Sequence, residues 1–178
     1  MPETTRSPLR VALISTGGTI EKTYDELHGM LTNEVSVLDV MLAQLELEGV
    51  TLERITLMNK DSLEMTEADH RFIAETAVLK SHEFDGVVIV HGTDRLAVTG
   101  DAIHAIEPSP RVPIVLTGAM RPYELRSTDS MQNLVEALLA VQLAAPGVYV
   151  SMHNKLLAFP GVRKDPELGT FVRDTGAS

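Results

Sequence analysis

The 178-residue chain contains no cysteine and no tryptophan. Without thiols it forms no disulfide, builds no cysteine-ligated zinc site and carries out no thiol catalysis. Aromatic residues are scarce, four Phe and three Tyr, too few for the stacking platforms that hold nucleic-acid bases. Basic residues are outnumbered, 15 against 25 acidic ones, which gives a formal charge of −10 and an isoelectric point near 5.0. Such a surface repels phosphate backbones and anionic bilayers, so neither nucleic acid nor membrane is expected as a partner. No apolar run approaches the length of a membrane span. The first ten residues are polar, include Pro2 and Pro8, and lack a signal-peptide core. The expectation is a soluble, cytoplasmic protein. Its length suits one ordinary domain with a substantial core.

What is present is an alternation of Val/Ile-rich runs with helical patterns. Leu9–Thr16 reads as a first strand, and the polar stretch 21–34 as an irregular, mobile loop. Ser36 with Asp39 resembles a helix start; Leu38, Met41, Leu42 and Leu45 share one helical face, and Gly49 suits a C-terminal cap. Leu52–Met58 is a second strand. Thr66 with Asp69 forms a capping pair that opens a helix running to about His82. Gly86–Val90 is continuously apolar, as in a strand covered on both faces. Helix 95–106, strand 112–117, a helix marked by Leu134, Ala137, Leu138 and Val141, and strand 147–152 follow. Short extended pieces and loops fill the rest.

This order predicts an α/β fold: a doubly wound, mainly parallel sheet flanked by helices, a flavodoxin-like three-layer sandwich forming a single domain over 1–178. In such sheets ligands sit at the carboxyl ends of strands where the winding reverses. With strand order 2-1-3-4-5, that point lies between the first and third strands. Thr16-Gly17-Gly18-Thr19 ends the first and His91-Gly92-Thr93-Asp94 ends the third. The two most polar strand ends therefore face each other.

The glycine pair fits neither G-x-G-x-x-G nor the P-loop spacing, and Glu21 disfavours a phosphate. It is either a tight turn with incidental hydroxyls or a place where Thr19 acts as a nucleophile beside exposed backbone N–H groups able to hold an oxyanion. Thr93 and Asp94 suit a helix N-terminus; alternatively, Asp94 grips a substrate ammonium and Thr93 supplies a hydroxyl. A threonine hydroxyl needs a base to take its proton. No histidine pair has catalytic spacing, and His91 reads as a buried, hydrogen-bonded histidine. A lysine with lowered pKa is the other candidate base, and the residues alone do not choose among Lys22, Lys60, Lys155 and Lys164. Ser62 and nearby amides, after the second strand, either bind a carboxylate or form an ordinary polar loop. The loop "LTGAMRPYELRSTDS" after the fourth strand is long for a βα connection. The six histidines lack metal-ligand spacing, so no catalytic metal and no cofactor are expected.

"STGGTI" at 15–20, "HGTD" at 91–94 and "LTGAMRP" at 116–122 together resemble the bacterial-type L-asparaginase/glutaminase family, over that family's N-terminal domain. The resemblance implies hydrolysis of the side-chain amide of asparagine to aspartate and ammonia. It places Thr19 as nucleophile, a Thr93–Lys164–Asp94 set beside it, and Tyr24 as the lid tyrosine that contacts the threonine. It assigns Asp61, Ser62, Gly92 and the Ala119 carbonyl to the substrate. It also implies a small zwitterionic substrate and a homodimer or homotetramer. Glu21, Leu63 and Arg95 depart from the family's usual residues. The chain reads as a short, single-domain member, without the second domain whose carboxylate usually helps hold the ammonium, so weaker substrate affinity is expected. Two alternatives stand beside this one: a glutaminase or other amide hydrolase, such as the ammonia-releasing component of a tRNA amidotransferase, and an amino-acid-binding module without turnover.

Overall fold

The computed structural model describes residues 7–32 and 37–174. At its centre lies a six-stranded sheet. Strand β1 (Leu9–Gly17) pairs in parallel with β4 (Val50–Lys60) on one side and β5 (Gly86–Val90) on the other. Beyond β5 follow β6 (Pro113–Thr117) and β7 (Gly147–Ser151), both parallel, and then β8 (Leu156–Ala158), antiparallel at the edge. The five parallel strands thus run in the expected order 2-1-3-4-5, and the sixth strand is an addition made by the segment after residue 152.

Both faces of the sheet are covered, and the alternation along each strand decides which side chain goes where. Val87 and Ile89 point to the side of α2 (Glu67–Ser81) and α3 (Leu96–Ile106), where they join Ile73, Ala77, Leu96 and Ile103. Val88 and Val90 point to the other side and meet Leu134, Ala137, Leu138 and Val141 of α4 (Ser130–Leu143), with Leu38 and Met41 of α1 (Leu38–Leu42). Helix α2 starts as its sequence suggests. The Asp69 N–H donates to Thr66 Oγ1 at 3.2 Å, and the Thr66 N–H donates to Asp69 Oδ2 at 2.9 Å.

Two expectations change. The helix begun at Leu38 stays α-helical only to Leu42; the chain then tightens through Gln44 N–H to Met41 O (3.2 Å) and Leu45 N–H to Leu42 O (3.1 Å). Gly49 does adopt a left-handed φ of 78°, but in the turn into β4 rather than as a helix cap. Ser36, half of the proposed capping pair, lies outside the described residues. The stretch after Glu21 is not irregular: β2 (Thr23–Asp25) and β3 (Met30–Thr32) form a hairpin. Its turn is set by Asp25, whose Oδ1 accepts Leu27 N–H at 2.9 Å, and by Gly29 at φ 63°. This is Asx-turn chemistry, which a reading of hydrophobic periodicity passes over.

The chain ends, as far as it is described, in a second hairpin of β9 (Val162–Asp165) and β10 (Thr170–Arg173). Among the described residues no helix is long and apolar enough to cross a membrane.

Candidate active site

The glycine pair at the tip of β1 has a steric cause. Gly17 and Gly18 have φ of 99° and 87°, where L side chains are rarely found. A Cβ on Gly17 would lie 2.6 Å from Lys60 N, and one on Gly18 would lie 2.5 Å from both Cα and N of Gly92. Gly92 in turn sits against Ser62, which a Cβ there would meet at 2.7 Å; on Gly118 a Cβ would come within 2.3 Å of His91 O. The ends of β1, β4, β5 and β6 therefore meet backbone to backbone, and this brings Thr19, Ser62, the Thr93–Asp94 pair and Ala119 to one end of the sheet. Replacing Gly18 with Ala is expected to force the β1 and β5 tips apart. The expected loss is about 2 kcal/mol or more of stability, read as a lower urea midpoint with unchanged slope; an unchanged midpoint would show that the tips do not need this contact.

Geometry separates the four candidate lysines. Lys22 Nζ donates to Asp61 Oδ2 at 2.9 Å, Lys60 Nζ to Asp69 Oδ1 at 2.8 Å and Lys155 Nζ to Phe171 O at 3.2 Å. Lys164, delivered by β9, donates to Thr93 Oγ1 at 2.9 Å and to Asp94 Oδ1 at 2.6 Å. Thr93 is buried, Lys164 mostly so, and Asp94 keeps 46 % of its side chain exposed. Asp94 thus has its Oδ1 on the lysine and a face open to solvent.

Around the rim, Asp61 accepts Leu63 N–H at 3.0 Å as it caps a 3-10 turn over Ser62–Glu64. That bond and the Lys22 ammonium hold its carboxyl below the usual carboxylate range. Ser62 is buried and its Oγ accepts Arg95 N–H at 3.3 Å, which leaves its own proton for a donor role. The three departures from the family pattern have structural places here. Glu21 is buried and its Oε2 accepts Gly17 N–H at 3.1 Å. The Arg95 side chain donates to Met65 O at 3.4 Å, and the Leu63 side chain points outward. Tyr24 is not brought onto Thr19. It rides on the β2–β3 hairpin with 57 % exposure beside Met30, Leu31 and Leu125, and its backbone N–H donates to Glu124 Oε2 at 2.6 Å.

Behind the site lies a buried row of histidines. His91 Nδ1 is 2.7 Å from Gly92 O, which only accepts, so this nitrogen carries the proton. Neutral His91 Nε2 then accepts from Thr99 Oγ1 at 2.8 Å, and Thr99 Oγ1 accepts from His70 Nδ1 at 2.7 Å. Burial pushes His91 down to about 4. The ring is neutral in both folded and unfolded chains above pH 6.5, so no pH dependence arises there. Below that the unfolded chain takes up a proton that the buried ring refuses, and stability falls. The expected loss is about 3 kcal/mol between pH 6.5 and 4. Urea midpoints at pH 7 and pH 4.5 check it, since a His91→Asn chain should show a shallower fall.

Composition gave no hint of Asp129 and His153. Asp129 is 3 % exposed, and its Oδ2 accepts from Met120 N (3.0 Å), Asn133 Nδ2 (3.0 Å) and His153 Nε2 (2.6 Å), its Oδ1 from Arg121 N (2.9 Å). Burial pushes this carboxyl up, but the Met120, His153 and Arg121 hydrogen bonds outweigh it and hold the group below its usual range. The unusual length of the loop after β6 was the one available signal. Among the described residues no cluster of His, Asp or Glu has the geometry to hold a metal ion.

Comparison with known proteins gives this geometry a context. The family model described as the asparaginase N-terminal domain matches residues 10–166. The L-asparaginase of Thermococcus kodakarensis is 32% identical over 163 residues, 90% of this chain and 49% of that protein. A glutamyl-tRNA(Gln) amidotransferase subunit of Haloquadratum walsbyi is 36% identical over 145 residues, 80% of this chain and 33% of that one. Among solved structures, the thermostable L-asparaginase from Thermococcus kodakarensis superposes with a TM-score of 0.84 at 31% identity, over 93% of this chain and 51% of that one. A probable cytoplasmic L-asparaginase from Campylobacter jejuni gives 0.76 at 28% identity, over 96% and 54%. The chain spans half or less of the length of the curated relatives named here. On its motifs, its fold and the match over residues 10–166, the chain belongs to the asparaginase family, through that family's N-terminal domain.

Proposed function

We propose that the chain hydrolyses the side-chain amide of L-asparagine to L-aspartate and ammonia, with Thr19 as nucleophile. The observation that carries the proposal is the placement of Lys164 Nζ on both Thr93 Oγ1 and Asp94 Oδ1, 2.9 and 2.6 Å away, at the sheet end where the β1 tip abuts Gly92. In the neutral form Lys164 takes a proton from Thr93, which takes one from Thr19 or from the attacking water. A bond forms between Thr19 Oγ and the amide carbon, the C–N bond breaks, and the nitrogen leaves as ammonia with the proton first removed from Thr19. Water then cleaves the ester and restores the hydroxyl. The Ser62 hydroxyl and nearby amides hold the α-carboxylate, Asp94 offers its open face to the α-ammonium, and the Ala119 carbonyl accepts from the amide NH₂. Two anchors on the substrate's charged, non-reacting end fix orientation and so lower the entropic part of the barrier.

A second reading follows from the relatives named as glutamyl-tRNA(Gln) amidotransferase subunits, one of them 36% identical: the amide donor would be glutamine. Ammonia release from asparagine and glutamine, measured in parallel, separates the two. The expected result is a kcat/KM for asparagine at least about tenfold higher, a one-methylene discrimination in a small pocket. Faster release from glutamine would favour the second reading. Aspartate binding with no release from either amide would leave only an amino-acid-binding module.

A further inference from the structure

The turn between β7 and β8 is built in an uncommon way. Met152 and Lys155 exchange backbone hydrogen bonds at 3.1 and 3.3 Å, and the two residues between them, His153 and Asn154, have φ of 54° and 60°. Two-residue turns of this kind favour Asn-Gly, and a non-glycine residue at positive φ is uncommon. The imidazole shows what holds His153 there. Its Nε2 lies 2.6 Å from Asp129 Oδ2, and its Nδ1 lies 3.1 Å from Thr170 Oγ1. Its backbone N–H donates to Asn133 Oδ1 at 3.1 Å. The carboxylate requires Nε2 to be the donor; the Thr170 hydroxyl serves Nδ1 as donor or acceptor, so both contacts are satisfied at once.

The two ends of this imidazole lead to two different segments that carry site residues. Asp129 grips the amides of Met120 and Arg121, next to Ala119. Thr170 opens β10 and faces Asp165 across the hairpin, with Phe171 opposite Lys164. The two segments also lie near each other: a Cβ added to Gly169 would come within 3.7 Å of Met120 Cε. The backbone of the β9–β10 hairpin pairs only within itself as a sheet, so its position against the main sheet is set by the buried Val162 and Phe171 together with polar side-chain contacts of this kind.

We infer that His153 is a positioning residue, a strut that ties the turn carrying Ala119 to the hairpin carrying Lys164 and so fixes the distance between the amide-binding carbonyl and the proton-transferring lysine. The catalytic part of this inference rests on the function proposed above; the mechanical part does not. An error of about 1 Å in such a distance can cost as much as 100-fold in rate.

The experiment uses His153→Asn, which suits a left-handed backbone but is too short to span both partners, and Thr170→Val, which keeps volume and removes one end of the strut. Amide hydrogen exchange is followed at Met120, Arg121 and through β9 and β10. Each variant is expected to accelerate exchange about tenfold in both segments, and Thr170→Val is the sharper case, because a local role for Thr170 leaves Met120 and Arg121 untouched. In kinetics each variant is expected to lower kcat about tenfold with KM within about twofold, and the double variant to be no worse than either single one. Unchanged exchange at Met120 and Arg121 in Thr170→Val, a wild-type kcat in His153→Asn, or losses that add in the double variant would each overturn the strut. A wild-type chain that releases no ammonia from any amide overturns the proposed function instead, and the exchange measurement still decides whether the strut exists.

Discussion

Thr19→Ala is expected to lower ammonia release from asparagine by about 10⁴-fold or more while leaving aspartate binding nearly unchanged. Removing a nucleophile removes the covalent route altogether, and losses of this size are what nucleophile deletions give in hydrolases that work through a serine. The groups proposed to hold the substrate's charged end, Ser62 and Asp94, are untouched by the change. Thr19 begins a short 3-10 turn with its side chain only partly buried, so the loss of a hydroxyl and a methyl group there costs little stability. Turnover measured by ammonia release and affinity measured by calorimetry with aspartate should therefore part company. A rate within about tenfold of wild type would show that Thr19 is not the nucleophile.

The second large effect concerns Lys164. Lys164→Met keeps the unbranched stem that runs through the site and discards the amine. A general base contributes about 10²- to 10⁴-fold, and kcat is expected to fall by that much. Stability should fall only modestly, by about 1–3 kcal/mol for the buried Thr93 hydroxyl left without its partner. The ion pair it breaks is partly solvated on the Asp94 side, which keeps 46 % of its side chain exposed, and such pairs contribute about 0–1 kcal/mol. Lys164→Arg sharpens the test. It preserves a positive charge next to Asp94 but cannot give up its proton in the accessible pH range. If the lysine acts as a base, the arginine chain is as slow as the methionine one. Should arginine restore most of the rate, the lysine serves only as a fixed charge, and another group takes the Thr93 proton.

These variants act on two residues whose roles were unequally visible in the sequence. Thr19 stood out because two glycines precede it at the end of an apolar run, and the structure gives the reason: only glycine fits where β1 abuts Gly92 and Lys60. Lys164 was singled out only by the family resemblance and not by any local pattern. It lies 71 residues from Thr93, on a strand of four residues with no periodicity of its own, and four lysines were equally eligible. The β2–β3 hairpin was missed for a different reason. Its turn is made by the Asp25 side chain and by Gly29, while its short strands bury little that a hydrophobic pattern could register.

The order of strands, the burial of β5 on both faces, the capping box at Thr66 and the meeting of two polar strand ends all follow from local pattern and from the handedness of crossovers, so the sequence by itself determined them. Local pattern did not reach the contact of Lys164 with Thr93, which the family resemblance implied and the docked hairpin makes, nor how Glu21 becomes buried under Gly17, nor why His153 bridges Asp129 and Thr170. Those depend on where two hairpins dock against the sheet. Docking is set by side chains far apart in the chain, and neither period 2 nor period 3.6 carries information about it.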